Sequence, residues 1–341
     1  MHKASWLLTM LLAIGCKSPE PAMFDLGMAV EDLSQARVDM SRAPADLSGN
    51  PADLLGVPAD QSWVPADLTG WGATPLNGVW GTDPSHVWAV GNWGTILKWD
   101  GAAWNTQLSG TAADMGGLWG TDANNIWAAG ESGLILKWNG STWTTQSSGI
   151  STMLDRPWGT DANNVWIVGE NEIILKWNGT TWSTQHSGSS DYIVGVWGTD
   201  ANNVWAVGDK GRILKFNGTA WVTQTSGSLD DLYDVWGTDA SNVWAVGKKG
   251  TILKWNGAVW SAQTSGTTSV LNSLWGIDAN NVWAVGEDAT ILKWNGTAWS
   301  VQASGTTNDL YDVWGTDPNN VWVVGDRRTI LRWNGATWSK F

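Results

Sequence analysis

Through the last three quarters of the chain, apolar and polar positions alternate in short runs that recur with a fixed period. In the copy spanning residues 232–263, the runs Leu232–Thr238, Asn242–Val246, Thr251–Trp255 and Val259–Gln263 are separated by turn residues. Their β-branched and aromatic content predicts four short strands. The Trp of Val235-Trp236-Gly237-Thr238-Asp239 has counterparts at 80, 119, 158, 197, 275 and 314, a spacing of 39 residues with no insertion or deletion. Self-similarity of this kind marks one structural unit copied in series. Seven such units predict an all-β, seven-bladed β-propeller of four-stranded blades over residues 76–341, a ring that leaves few exposed sheet edges. The copies begin and end in phase, so blade one is expected to close on blade seven by packing unless Trp63–Thr69 adds an outer strand.

The turns support the same unit. Strands one and two are joined by Asp239-Ala240-Ser241-Asn242, with Pro84 and Pro318 at the second position of the first and last copies, where a type I turn favours Pro. Strands three and four are joined through Asn256-Gly257, or Asp100-Gly101 in the first copy; such pairs favour a type I′ hairpin with positive φ at both positions.

Trp falls on all four strands of the unit, in columns that take 27 of the 31 Trp, with Phe216 replacing one. A buried Trp contributes about 4–6 kcal/mol at about 25 cal/mol per Å² before entropy. The columns are therefore expected to pack between blades, with one outer column able to double as a sugar platform. Lys98, Lys137, Lys176, Lys215, Lys254, Lys293 and Arg332 precede the third-strand aromatic and match the seven motif Asp in number; an ion pair or an Asp-capped turn in each blade is expected.

Residues 1–15 read as a signal peptide, with Lys3, a nine-residue Trp6–Ile14 run and then small residues. That run is well short of the roughly 20 apolar residues that span a bilayer. Cys16, the only Cys, follows Ala13-Ile14-Gly15 and resembles a bacterial lipobox, which implies acylation of Cys16 and a membrane anchor. Lys17 favours the outer membrane or cell surface. A single Cys leaves no intramolecular disulfide. Residues 16–75 read as a spacer: Asp recurs every seven residues from Asp25 to Asp67, but Pro44, Pro51, Pro58 and Pro65 share the repeat. Pro at that frequency opposes a coiled coil and predicts an acidic, semi-extended tether.

Comparison of the seven copies with one another separates two loop sets. Loops after strands one and three hardly vary, whereas those after strands two and four do, and alternating strand direction brings the variable sets to one face. Candidate binding residues after strand two are Trp93, Glu131, Glu170, Glu172, Asp209, Lys210, Lys248, Lys249, Glu287, Asp288, Asp326 and Arg327, with Arg212 beside them. Between blades they are Asp191, Tyr192, Tyr233, Asp234, Tyr311 and Asp312, accompanied by Asp155 and Arg156. With the repeated charges set aside, the variable loops are assigned fifteen acids and seven bases. An acidic, Tyr-bearing face on a rigid ring is a candidate binding surface.

The formal charge of −13 disfavours nucleic acid, whose phosphates call for Lys and Arg. His2, His86 and His186 are the only His and form no metal or general-base constellation, so no catalytic residue, metal or cofactor is expected. The leading reading is a monomeric, lipid-anchored, non-enzymatic adhesion or assembly module that recognises a protein or an extracellular glycan. A glycan-active hydrolase or lyase is the alternative, given carboxylates converging in a central pocket; a purely structural surface protein is a third.

The consensus L-x-D-V-W-G-T-D-A-N-N-V-W-A-V-G-x-x-G-T-I-L-K-W-N-G-x-x-W resembles the repeats of Asp-box (BNR-like) propellers and of the photosystem II assembly-factor propeller family, over residues 76–341. Of the Asp-box S-x-D-x-G-x-T-W only the end is present, as in Gly140-Ser141-Thr142-Trp143 and Gly335-Ala336-Thr337-Trp338. The resemblance implies the propeller fold; sialidase activity and photosystem assembly are not carried over with it.

Overall fold

The computed structural model describes residues 74–341. The signal peptide, Cys16, the spacer as far as residue 73 and the Trp63–Thr69 segment lie outside the described residues. Among the described residues, 28 strands form seven four-stranded antiparallel sheets. In blade five the strands are Leu232–Asp239, Asn242–Gly247, Ile252–Trp255 and Trp260–Gln263, each end within a residue of the range expected from the hydrophobic pattern. Sequence order is spatial order in every sheet, and the first strands of successive blades pack side by side around the ring. The first strand is therefore innermost, against the axis.

The core lies between neighbouring sheets rather than within one. Trp88, Trp127, Trp166, Trp205, Trp244, Trp283 and Trp322, all on second strands, are 0 % exposed, and Trp244 packs into Leu271, Val282 and Leu292 of the next blade. Third- and fourth-strand Trp pair within a blade, as at Trp255–Trp260 with centroids 5.6 Å apart. The Gly of the Trp-Gly-Thr-Asp motif has a steric cause. A Cβ on Gly237 would stand 2.5 Å from the Asn242 carbonyl oxygen and 2.9 Å from the Trp197 ring of the preceding blade.

Blade one takes its strands from residues 76–107 and blade seven from residues 310–340. Their contact closes the ring by packing. The Val79 N–H donates to Asp312 Oδ2 at 2.8 Å, Trp80 meets Trp314 at 6.4 Å, and Phe341 wedges against Trp99 and Trp322 at 5.4 and 5.3 Å between centroids.

One turn assignment is corrected. The Asn-Gly pair does not form a type I′ hairpin, because Trp255 pairs with Trp260 and encloses four residues rather than two. Only Gly257 has positive φ, at 94°. In that longer loop the Asn256 side chain caps the turn, its Oδ1 accepting from the N–H groups of Ala258 and Val259 at 3.0 and 2.9 Å. The two-residue turn with paired positive φ falls in the second loop instead. There Lys249 and Gly250 have φ of 54° and 68°, and the Thr251 N–H donates to the Lys248 carbonyl at 2.9 Å.

Candidate functional site

The two variable loop sets are laced together on one face. Strand two ends in Gly247, where a Cβ would collide with the Asp231 carbonyl of the adjoining inter-blade loop; glycine lets the loops touch. Across that contact the Lys248 N–H donates to the Asp231 carbonyl at 2.9 Å. An inter-blade carboxylate also reaches back to the left-handed residue of the earlier blade. Asp114 accepts from the Trp93 N–H at 2.8 Å, Asp231 from Lys210 at 2.8 Å and Asp309 from Asp288 at 2.9 Å. Glu131, Glu170 and Asp209 accept the N–H groups of Asp114, Met153 and Tyr192 at 3.3, 3.3 and 3.1 Å. Much of the charge that reads as free acidity along the sequence is thus loop-building.

Other candidates pair with one another. Lys210 meets Asp191 at 2.6 Å, Lys249 meets Asp230 at 2.7 Å, and Lys248 meets Asp231. Arg327 stands 3.6 Å from Asp326. Glu172, buried with φ of 56°, is clamped by Arg212 of the next blade, and His186 Nε2 lies 3.7 Å from it. Burial raises the carboxyl pKa of Glu287, and the nearby Asp309 and Asp288 charges add to the rise. Trp93 stands apart: it is 70 % exposed.

Tyr233, Asp234, Tyr311 and Asp312 are not loop residues. With Asp155 and Arg156 they belong to the first strands Leu154–Asp161, Leu232–Asp239 and Leu310–Asp317, beside the axis. Polar side chains are accommodated there because charges from different blades meet across the ring. Arg156 Nη1 lies 2.8 Å from Asp234 Oδ2 and 3.4 Å from Asp312 Oδ1. Its Nη2 donates to the carbonyls of Asn272 and Tyr311, each at 3.2 Å. The Ser273 hydroxyl lies 2.9 Å from Asp234 Oδ2 and 2.7 Å from Asp312 Oδ1, and Asp234 also accepts the N–H groups of Val235 and Leu274. Gly117 holds the same repeat position as Arg156, and a Cβ on it would stand 3.0 Å from Arg156 Cγ, so the small residue leaves room for the guanidinium arm.

Desolvation pushes the Asp155 carboxyl up to about 6, against the pull of Arg156 and of the Tyr192 hydroxyl, which donates to Asp155 Oδ2 at 3.3 Å. Burial likewise raises Asp312 and lifts Tyr233 to about 12. A sequence signal for this cluster exists. Arg156, Asp234, Ser273 and Asp312 all stand two residues before a first-strand Trp, so opposite charges share one column of the repeat.

The other face is uniform. Asp239 Oδ1 accepts from the Ser241 N–H at 2.8 Å and Asp239 Oδ2 from the Asn242 amide at 3.0 Å, and these bonds hold its carboxyl below the usual range. In blade one His86 replaces that Asn, its Nδ1 2.8 Å from Asp83. The Asp-capped turn is therefore the arrangement adopted, and the repeated Lys go elsewhere. Lys254 Nζ lies 4.5 Å from the centroid of Trp244 and 5.7 Å from that of Trp294 in the next blade. Among the described residues no group of three or more His, Cys, Asp or Glu is placed to hold a metal. Two open grooves of about 800 and 400 Å³ follow the outer rim of blades five and four, lined by residues 249–253 with 262–268 and by residues 210–212 with 223–229.

No protein-family model and no curated protein matches the sequence. Solved structures match in fold. YCF48 from Cyanidioschyzon merolae superposes with a TM-score of 0.65 at 15 % identity, covering 78 % of this chain and 97 % of that one. YCF48 bound to D1 peptide gives 0.65 at 16 % identity, covering 77 % and 94 %. The WD40 β-propeller domain of Doa1 gives 0.68 at 13 % identity, covering 79 % and 94 %. At such identities the likeness is one of architecture, and it agrees with the strand order: the chain is a seven-bladed β-propeller of four-stranded antiparallel blades.

Proposed function

We propose that the protein is a non-enzymatic binding module that captures a protein segment on its variable face, held at the outer membrane or cell surface by lipid on Cys16. The observation that carries this reading is the division of the ring. One face repeats the same capped turns seven times, while the other differs from blade to blade and holds Trp93 exposed. Loops on a rigid scaffold are where recognition residues concentrate. The solved structure of YCF48 bound to D1 peptide supports a peptide as the ligand class, since a propeller of similar fold binds one. An extracellular glycan is the alternative ligand for the same face. A hydrolase would need carboxylates free to exchange protons with a substrate, and of those on the axis Asp234 and Asp312 are engaged by Arg156 and Ser273 while Asp155 accepts from the Tyr192 hydroxyl.

Peptide arrays probed with the full chain test the proposal. Trp93→Asn on the variable face is expected to weaken the retained peptides, and Ala123→Arg and Ala240→Arg on the other face to leave them unchanged. The reverse pattern refutes the assignment. Radiolabelled palmitate is expected to enter the wild-type chain and not the Cys16→Ser variant; equal incorporation refutes the anchor.

A further inference from the structure

Trp93 is the exception among the described Trp. The column Trp are buried or half-buried between blades, whereas Trp93 is 70 % exposed. Its φ of 57° lies in the left-handed region, which disfavours a bulky side chain. The six equivalent positions hold Ser132, Asn171, Lys210, Lys249, Asp288 and Arg327, all polar. Packing gives no reason for this indole, and the turn opposes it.

Toward blades two and three its surroundings are acidic, while on the other side blade seven contributes the loop Asp326–Arg328. The Trp93 N–H bonds Asp114 at 2.8 Å, the Asp114 N–H bonds Glu131 at 3.3 Å, and in the following blade Glu170 takes the Met153 N–H at 3.3 Å. None of these three carboxylates forms an ion pair among the described residues, whereas Asp191, Asp230 and Asp231 are each matched by a Lys. Leu108, 87 % exposed, leads into the loop that ends at Asp114.

We infer that Trp93, with Asp114 and Glu131 beside it and Glu170 one blade further round the ring, anchors a basic, extended peptide segment. A Lys or Arg of the partner stacks on the indole face, and its neighbouring cations meet the carboxylates. The inference rests on the protein-binding reading and names the partner's chemistry. Charge complementarity selects the occupant. Residues 17–73 of the chain itself hold nine acids against three bases, the same sign as this surface. A neutral glycan could use the indole but not the field of the carboxylates.

The test reads anisotropy of fluorescein-labelled ten-residue peptides, alternating Ala with Arg, Lys or Glu, on the full chain. The Arg and Lys peptides are expected to bind and the Glu peptide not to. Trp93→Asn suits the left-handed turn, so its thermal melt should match or exceed wild type while affinity for the basic peptides falls about tenfold. Glu131→Gln combined with Glu170→Gln should flatten the loss of affinity with salt. Unchanged affinity in Trp93→Asn, preference for the Glu peptide, or no binding of the basic peptides overturns the inference. If binding is lost in Lys249→Glu instead, the inference falls and the variable-face reading stands; if it is lost in Ala123→Arg alone, both fall. Binding of a neutral cello-oligosaccharide that depends on Trp93, without peptide binding, assigns the indole to sugar and also overturns it.

Discussion

Replacing Arg156 by Met removes one cation from among three carboxylates while keeping most of the side-chain volume. Arg156, Asp234 and Asp312 have side chains only 17, 10 and 14 % exposed. Breaking a buried pair by removing one partner costs about 3–5 kcal/mol. Over the 268 residues of 74–341, an unfolding entropy of about 2.1 cal/mol/K per residue converts this to a fall in Tm of about 5–9 °C. The deficit should depend on pH. The folded Asp155 pKa of about 6 lies above the ordinary 3.8, so its contribution to stability is fully present below pH 3.8 and is lost as the pH rises through about 6. Arg156 opposes that rise. Without it the Asp155 and Asp312 carboxyls move further up, and the variant's deficit should be larger at pH 8 than at pH 5. Thermal melts followed by near-ultraviolet circular dichroism at the two pH values measure both quantities. Asp234→Asn added to Arg156→Met should recover part of the loss, since it removes a charge left without a partner. A Tm within about 2 °C of wild type at pH 8, or equal deficits at the two pH values, would refute the assignment of Arg156 as the cation that neutralises the axis.

Gly237→Ala places a Cβ against Asn242 and the Trp197 ring and should lower stability by about 1–3 kcal/mol in urea denaturation. Gly227→Ala, with φ of 75° and nothing within 4 Å, should cost about 1–2 kcal/mol of backbone strain alone; a Gly237→Ala loss no larger than the Gly227→Ala loss would show that packing is not what the motif Gly serves. Lys254→Met keeps the stem over Trp244 and loses the cation, so stability should fall by about 0.5–1 kcal/mol with little dependence on salt; a salt-sensitive loss would point to an ion pair instead. The Asp239 pKa is held down by the Ser241 N–H and the Asn242 amide, so that contribution is present above pH 3.8 and lost as the pH falls further. Asp239→Asn should blunt the acid limb of the stability profile, and an unchanged limb would contradict the capping role.

The fold was legible because a 39-residue period with no slips exposes each strand seven times over. The turns were legible in kind but not in place. Asn256-Gly257 carries the composition of a two-residue hairpin, yet the Trp255–Trp260 pair sets a four-residue loop, and only three-dimensional register reveals which residues face each other. The face was also legible, since variability alternates with strand direction. The axial cluster was not. Arg156 and Asp234 are 78 residues apart, and that separation becomes a contact only once the ring is closed. Several loop acids looked free for a different reason: the N–H groups they bind lie 17 or 21 residues away in an adjoining loop, and only the loop-to-loop contact brings them together.

The axial layer bears on how such a chain counts. Seven nearly identical blades present nearly identical interfaces, so packing alone would let any blade dock on any other, and copies could be gained or lost by recombination with little to register the change. Arg156 differs: it is held by Asp234, Ser273 and Asp312, in blades five, six and seven, while Asp312 also receives the Val79 N–H of blade one. Copy number and the order of the blades around the ring are thereby written into one asymmetric set of charges at the centre of an otherwise repetitive ring.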